Sequence, residues 1–119
     1  MSQHVHWLLE LSINDGKRAD FLAVMRDLIA STEGEDGTLI YEWCFNEDGT
    51  VCNIYEWYRD SDAVLTHLAA FSQFAERFLG AATPIKMTVM GHPNETAIEK
   101  LSGLSPVLMR TDAGFARLD

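Results

Sequence analysis

Alternation of apolar and polar residues predicts four β-strands along this chain. The pattern runs through residues 4–13 and recurs in residues 38–45, 51–58 and 85–91. Successive side chains of a strand point to opposite faces of a sheet, so each segment presents at least one apolar face. The second and third segments are separated only by residues 46–50, and Asn46-Glu47-Asp48-Gly49 within them is a combination typical of a hairpin turn.

Two further segments have the spacing of amphipathic helices. In residues 17–33 the apolar stripe consists of Phe21, Leu22, Met25, Leu28 and Ile29. A second helix is predicted from Ser61, with Asp60 or Ser61 as its cap, to Gly80, with a possible break near Ser72. The order β-α-β-β-α-β is typical of an α+β, ferredoxin-like fold. Right-handed crossovers then predict a four-stranded sheet of order 4-1-3-2 with both helices on one face.

The hairpin turn decides which side chains share a face of the sheet. A three-residue loop would place Gly49 where a positive φ is required, and it would pair Cys44 with Cys52. We expect these two cysteines to be free thiols, although a reversible disulfide is conceivable. In this register one face, expected beneath the helices, carries Tyr41, Trp43, Asn53, Tyr55 and Trp57. A four-residue loop would break this parity.

The C-terminal residues are predicted to add to a domain that spans residues 1–93. Residues 94–119 contain a capping-box pattern, Thr96 to Glu99, and are expected to form a helix and tail that complete the domain or cross a dimer interface. The third strand is hydrophobic on both faces, whereas two helices can cover only one face of the sheet. We therefore expect a homodimer in which a second copy covers the other face.

Charge and composition limit the kinds of molecule that this protein is expected to bind. The net charge of −9 argues against binding to nucleic acid or to an anionic membrane, because both require a basic surface. No apolar run approaches the length of a membrane helix, and the N-terminal residues lack the pattern of a signal peptide. Two cysteines without metal-type spacing favour a cytoplasmic protein. His4, His6 and His92 could approach one another, but we expect no metal site.

A sequence pattern on the third predicted strand and the second predicted helix is similar to the pattern of a known protein family. It comprises Glu56-Trp57-Tyr58-Arg59-Asp60, Ala63 and His67-Leu68, preceded by Gly37-Thr38-Leu39, Tyr41 and Trp43. This pattern resembles the antibiotic-biosynthesis monooxygenase family over roughly residues 5–92. The resemblance implies a dimeric α+β barrel that oxygenates a phenolic, anthrone or quinol-like molecule with O2, without a metal or flavin cofactor. The family also includes isomerases, haem-degrading proteins and members without known activity.

The resemblance also implies candidate catalytic residues. Oxygenating members have an Asn and a Trp four residues apart on this strand and an Arg on the following helix, which match Asn53, Trp57 and Arg77. Asn53 would bind a substrate oxygen and Trp57 would stack on an aromatic ring. Arg77 would bind the substrate anion, and His67 would accept the phenolic proton. The tyrosine of this pattern is replaced by Ala63.

The remaining site predictions concern the pocket wall and the competing interpretations. The substrate is expected to contact Tyr41, Trp43, Tyr55 and Phe71. The haem-degrading members resemble this chain in fold but have an Asn on the first strand, a Trp near position 67 and a His about ten residues later. This chain has Leu9, His67 and Arg77 at those positions, so haem cleavage is disfavoured. Each candidate also has a purely structural interpretation, such as a core aromatic or a core-edge histidine.

Two other functions stay open from the sequence. The chain could be a dimer that binds a small apolar metabolite without catalysis, or an isomerase that uses His67 for proton transfer. Glu42 and Glu56 are expected on the sheet face away from Asn53, either as an acid–base dyad or as paired interface carboxylates.

Overall fold

The computed structural model describes residues 3–118 and contains one five-stranded sheet. Its strand order is β2-β3-β1-β4-β5, and β5 runs parallel to β4 while the other neighbours are antiparallel. The predicted ferredoxin-like fold and the order 4-1-3-2 are confirmed, with a fifth strand added beside β4. Residues 1–2 and 119, at the ends of the two predicted segments, lie outside the described residues. The strands are β1 Val5–Ile13, β2 Thr38–Phe45, β3 Val51–Tyr58, β4 Ala82–Gly91 and β5 Val107–Arg110.

The helices cover one face of this sheet. Helices α2 (Ser61–Phe71) and α4 (Glu95–Leu101) each begin after a residue whose side chain accepts a hydrogen bond from a free backbone N–H. The Asp60 side chain accepts from the Ala63 N–H, and the Asn94 side chain accepts from the Ala97 N–H. The predicted break near Ser72 is present, because α2 ends there and a separate helix, α3, follows. The helices are α1 Arg18–Thr32, α2 Ser61–Phe71, α3 Ala75–Ala81 and α4 Glu95–Leu101, followed by a 3-10 turn, Ser102–Leu104.

The predicted hairpin register is wrong by one residue. Cys44 pairs with Asn53, not with Cys52, because the loop has four residues between Asn46 and Val51. The Asn46 side-chain oxygen accepts from the Val51 backbone N–H at 2.9 Å, and the Asp48 carboxylate accepts from Thr50, so side chains satisfy the extra turn residue.

This shift exchanges the faces of the two strands. The residues of β3 that face the helices are Cys52, Ile54, Glu56 and Tyr58, which are all buried. They share that face with Tyr41 and Trp43 of β2, as their ring contacts show. Asn53, Tyr55 and Trp57 therefore face away from the helices, and the free thiols Cys44 and Cys52 lie on opposite faces.

We call the sheet surface opposite the helices the open face. It carries exposed apolar side chains, including Leu8 on β1, which is 38% exposed, and Met109 on β5, which is 55% exposed. This is the surface that a second copy would cover, and the homodimer stays a prediction. Light scattering would test it, since a dimer has twice the 13.4 kDa mass of one chain and a mass of one chain would refute it.

Within residues 3–118 no helix has the length and apolar character needed to cross a membrane.

Candidate active site

A buried polar cluster lies between α2 and the sheet, with His67 at its centre. The Asp60 cap fixes the start of α2 and so directs His67, on the second turn, toward β2 and β3. The His67 side chain is only 4% exposed. Its Nδ1 lies 3.0 Å from Glu35 Oε1, and its Nε2 lies 3.4 Å from Glu56 Oε1. We call these three residues the Glu35–His67–Glu56 cluster.

Glu56 enters the core because it occupies an inward position of β3, between Ile54 and Tyr58. The Tyr58 hydroxyl donates to Glu56 Oε1 at 2.6 Å. Burial raises the pKa of Glu56 above its ordinary value of 4.5, while nearby His67 and hydrogen bonds from Tyr58 and Trp7 partly oppose this rise. Glu56 therefore keeps its proton to a higher pH than an exposed glutamate does.

Two tyrosines enclose the cluster and stay protonated. Burial raises the pKa of Tyr41 and of Tyr58 well above the usual range, and ionisation of Glu56 would raise both pKa values further. The rings of both tyrosines have their centroids 5.3 Å from the His67 ring. They supply neutral hydroxyl groups and a largely apolar wall.

Glu35 reaches the cluster from the loop between α1 and β2. Its backbone N–H donates to the Thr32 carbonyl oxygen at 2.9 Å, and its Oε1 accepts from the Thr38 hydroxyl at 2.9 Å. These bonds tie the loop to the end of α1 and to the start of β2. The second carboxylate oxygen of Glu35 is buried and has no hydrogen-bond partner among residues 3–118.

An apolar groove leads from the surface to this cluster. Its outer part, about 650 Å³, lies between α2, α3, α4 and the 3-10 turn, and includes Lys100 at its rim. An inner chamber of about 50 Å³ adjoins it and is bounded by Glu56, His67 and Tyr41. The two spaces share six lining residues: Leu9, Leu68, Phe71, Phe78, Leu101 and Leu104. Together they form an apolar pocket whose innermost wall carries acid–base groups.

The structure brings together some of the residues predicted for the site. Tyr41, His67 and Phe71 line the inner chamber. Trp43 packs directly behind it, with its ring centroid 5.7 Å from that of Tyr41 and 6.0 Å from that of Phe78. These residues of β2 and α2 therefore lie in or beside one pocket, and their contact with a substrate stays a prediction.

Other predicted residues lie elsewhere. Arg77, on α3, is about half exposed, and its Nη1 donates to Asp27 Oδ2 at 2.9 Å. Asn53, Tyr55 and Trp57 lie on the open face, so the expectation that they point beneath the helices toward His67 is wrong. The cause is the four-residue hairpin loop.

Trp57 has its own surroundings on the open face. Its Nε1 donates to His4 Nδ1 at 3.0 Å, and its ring stacks on His6 with centroids 3.7 Å apart. A cavity of about 500 Å³ there is bounded by these residues, His92 and the C-terminal tail. Within residues 3–118, no three potential ligands are arranged to hold a metal ion.

Neither carboxyl group of the cluster was predicted to lie in the pocket. Glu56 is expected beside Glu42 on the face away from the pocket, but only Glu42 lies on the open face. A glutamate at an otherwise apolar strand position, Cys52-x-Ile54-x-Glu56-x-Tyr58, is a signal that could have identified it. Glu35 lies in a loop, and its sequence neighbours give no such signal.

Comparisons with known proteins agree with this architecture. The family model described as "Antibiotic biosynthesis monooxygenase" matches residues 5–82. No relative among the curated proteins matches the sequence.

Solved structures with the same fold come from several bacteria. MupZ from Pseudomonas fluorescens is 23% identical with a TM-score of 0.81, and the match covers 98% of this chain and 91% of MupZ. Rv0793 from Mycobacterium tuberculosis is 22% identical, with a TM-score of 0.67 and coverage of 77% and 97%. SnoaB from Streptomyces nogalater, a cofactor-independent oxygenase, is 17% identical, with a TM-score of 0.66 and coverage of 78% and 96%.

Proposed function

Because the chain belongs to the antibiotic biosynthesis monooxygenase family, we propose that it oxygenates an apolar phenolic, anthrone or quinol-like molecule without a cofactor. The observation that carries this proposal is the buried Glu56–His67 pair at the inner end of an apolar groove. The groove volume of about 650 Å³ suits a small aromatic molecule, since ligand pockets commonly enclose about 300–1,000 Å³. SnoaB, a cofactor-independent oxygenase of the same fold, supports the absence of a cofactor.

The first step is removal of a weakly acidic proton from the bound substrate. The substrate must present that proton to the inner chamber, where Glu56 and His67 are the proton-exchanging groups. Apolar walls exclude water, which strengthens the interaction between the charged substrate and the groups around it. Protonated Glu56 can donate a hydrogen bond to the developing oxyanion, as a neutral carboxylic acid does in other apolar sites.

The second step transfers electrons from the substrate to oxygen. A substrate carbanion gives one electron to O2, and the resulting radicals join as a carbon–oxygen bond to form a peroxide. Loss of the remaining C–H proton breaks the O–O bond, which leaves a carbonyl group and releases water. For anthrone, one O2 is consumed, one oxygen atom enters the anthraquinone, and the two methylene hydrogens leave in one water molecule. The Glu56–His67 pair removes protons from carbon and returns them to the departing oxygen.

Oxygen uptake with anthrone tests this proposal. We expect the protein to accelerate O2 consumption above the uncatalysed rate, with one O2 consumed for each anthraquinone formed. With ¹⁸O2, one labelled atom should appear in the product and the other in water. Saturable binding of anthrones and quinols with no acceleration of O2 uptake for any of them would contradict oxygenation.

A proton-transfer isomerase is the second candidate. The observation that favours it is that the polar groups of the inner chamber, Tyr41, Glu56 and His67, are all proton donors or acceptors. Such a site can move a proton between two atoms of a substrate without using oxygen. Exchange of the anthrone methylene hydrogens with deuterium from the solvent, in the absence of O2, would occur in both cases. Isomerisation or exchange without O2 uptake would support the isomerase.

A further inference from the structure

We propose that Glu35 is a positioning residue, which holds a proton on Nδ1 of His67 and thereby turns an unprotonated Nε2 toward Glu56 and the inner chamber. Glu35 does not line the chamber, whereas His67 and Glu56 do. The imidazole therefore separates Glu35 from the space where a substrate would bind.

The hydrogen bonds around the cluster are consistent with one direction of donation. Glu35 Oε1 accepts from the Thr38 hydroxyl, and the same oxygen lies 3.0 Å from His67 Nδ1, where it can accept a second hydrogen bond from an Nδ1–H. A neutral imidazole has one donor and one acceptor nitrogen, so Nε2 is then the acceptor. Burial favours the protonated form of Glu56, which can donate toward Nε2. The proposed direction of donation therefore runs from Glu56 through His67 to the Glu35 carboxylate.

This arrangement explains how His67 could carry a positive charge in an apolar site. When Nε2 takes a proton, the imidazolium lies 3.0 Å from the Glu35 carboxylate. The groups that face the imidazole from the surrounding elements are the carboxyl of Glu56 and the neutral hydroxyls of Tyr41 and Tyr58. An unpaired buried charge is strongly unfavourable, and Glu35 supplies the paired charge.

The local backbone allows this close approach. Gly37 follows Glu35 in the loop, and a Cβ atom at Gly37 would collide with Cβ of Ala63 on α2. Ala63 and His67 are four residues apart, so they lie on the same side of the helix. The glycine lets the loop press against that side, which brings the Glu35 carboxylate to the imidazole.

Nitrogen NMR of His67 tests the proposal without a substrate. In protein labelled with ¹⁵N-histidine, long-range proton–nitrogen correlations identify which ring nitrogen carries the proton. We expect the Nδ1–H form for His67 in the unmodified protein. Glu35→Leu removes the acceptor and should shift His67 predominantly to the Nε2–H form, while Glu33→Leu, at an exposed position of the same loop, should leave it unchanged.

A second variant separates the effect of Glu35 on the orientation of His67 from the effect of its negative charge. It also provides a test if Glu35→Leu does not fold. Glu35→Gln keeps an acceptor oxygen but removes the negative charge, so the Nδ1–H form should persist. Its kcat for anthrone oxygenation should fall by about 10-fold or more with little change in KM; this rate effect rests on the proposed function. An Nε2–H form in the unmodified protein, or an unchanged tautomer in folded Glu35→Leu, would overturn the positioning role. Absence of oxygenation with the expected tautomers would instead contradict the proposed function and leave the positioning role supported.

Discussion

Substitution His67→Gln is expected to lower kcat for anthrone oxygenation by about 10²–10⁴-fold, the range typical for loss of a general acid–base group. Glutamine nearly fills the same volume and can still hydrogen-bond to Glu35 and Glu56, so the cluster keeps polar partners. It cannot accept and release a proton at neutral pH. Initial rates of oxygen uptake, at saturating anthrone, measure the effect.

The control is the same substitution at a histidine outside the groove. His92→Gln alters a half-buried residue beside the open-face cavity, and we expect its rate to stay within about 2-fold of that of the unmodified protein. Circular dichroism should show that both variants are folded. If folded His67→Gln keeps full activity, then His67 has only a packing role and the proposed chemistry fails.

Substitution Glu56→Gln is expected to remove a loss of stability that the unmodified protein shows as the pH rises above about 4.5. Burial raises the pKa of Glu56, so the folded protein retains a proton that the unfolded chain releases above about pH 4.5. Unfolding then releases this proton, and the free energy of unfolding falls as the pH rises toward the folded-state pKa. The neutral glutamine does not titrate, so it avoids this loss.

Urea unfolding across pH 4–8.5, at one fixed protein concentration, measures this difference. The variant-minus-wild-type free energy of unfolding should increase from its value at pH 4.5 and then level off. The increase amounts to about 1.4 kcal/mol for each unit by which the pKa is raised. Effects of the substitution on stability that do not depend on pH cancel, because only the increase of this difference above its value at pH 4.5 is evaluated. A difference that stays constant or decreases with pH would indicate an ionised Glu56 in the folded protein.

Most of the fold could be predicted because it depends on patterns that extend over many residues. The alternation of β1 and the helical stripe of α1 each repeat a period several times, so a single exception does not change the assignment. The hairpin register instead depends on one turn. In that turn, the side-chain oxygens of Asn46 and Asp48 accept hydrogen bonds from the backbone N–H groups of Val51 and Thr50, respectively. These bonds favour a loop of four residues over one of three.

The one-residue difference in loop length determined how much of the site could be predicted. His67 lines the inner chamber because its position depends on the helix, which the turn does not affect, and its catalytic role stays a prediction. Asn53, Trp57 and Glu56 exchanged faces because a shift of one residue reverses a whole strand. Glu35 could not have been found, since its contact with His67 joins residues 32 positions apart through a loop.

The proposed chemistry requires an aromatic ligand to bind in the groove between the helices and the sheet, next to the Glu56–His67 pair. Methyl-resolved NMR during titration with anthrone, in the absence of oxygen, tests it most directly because both faces of the sheet carry methyl groups. Our account predicts saturable shifts for the groove residues Leu68, Leu101 and Leu104. Shifts confined to Leu8, Val107 and Met109 of the open face would contradict it.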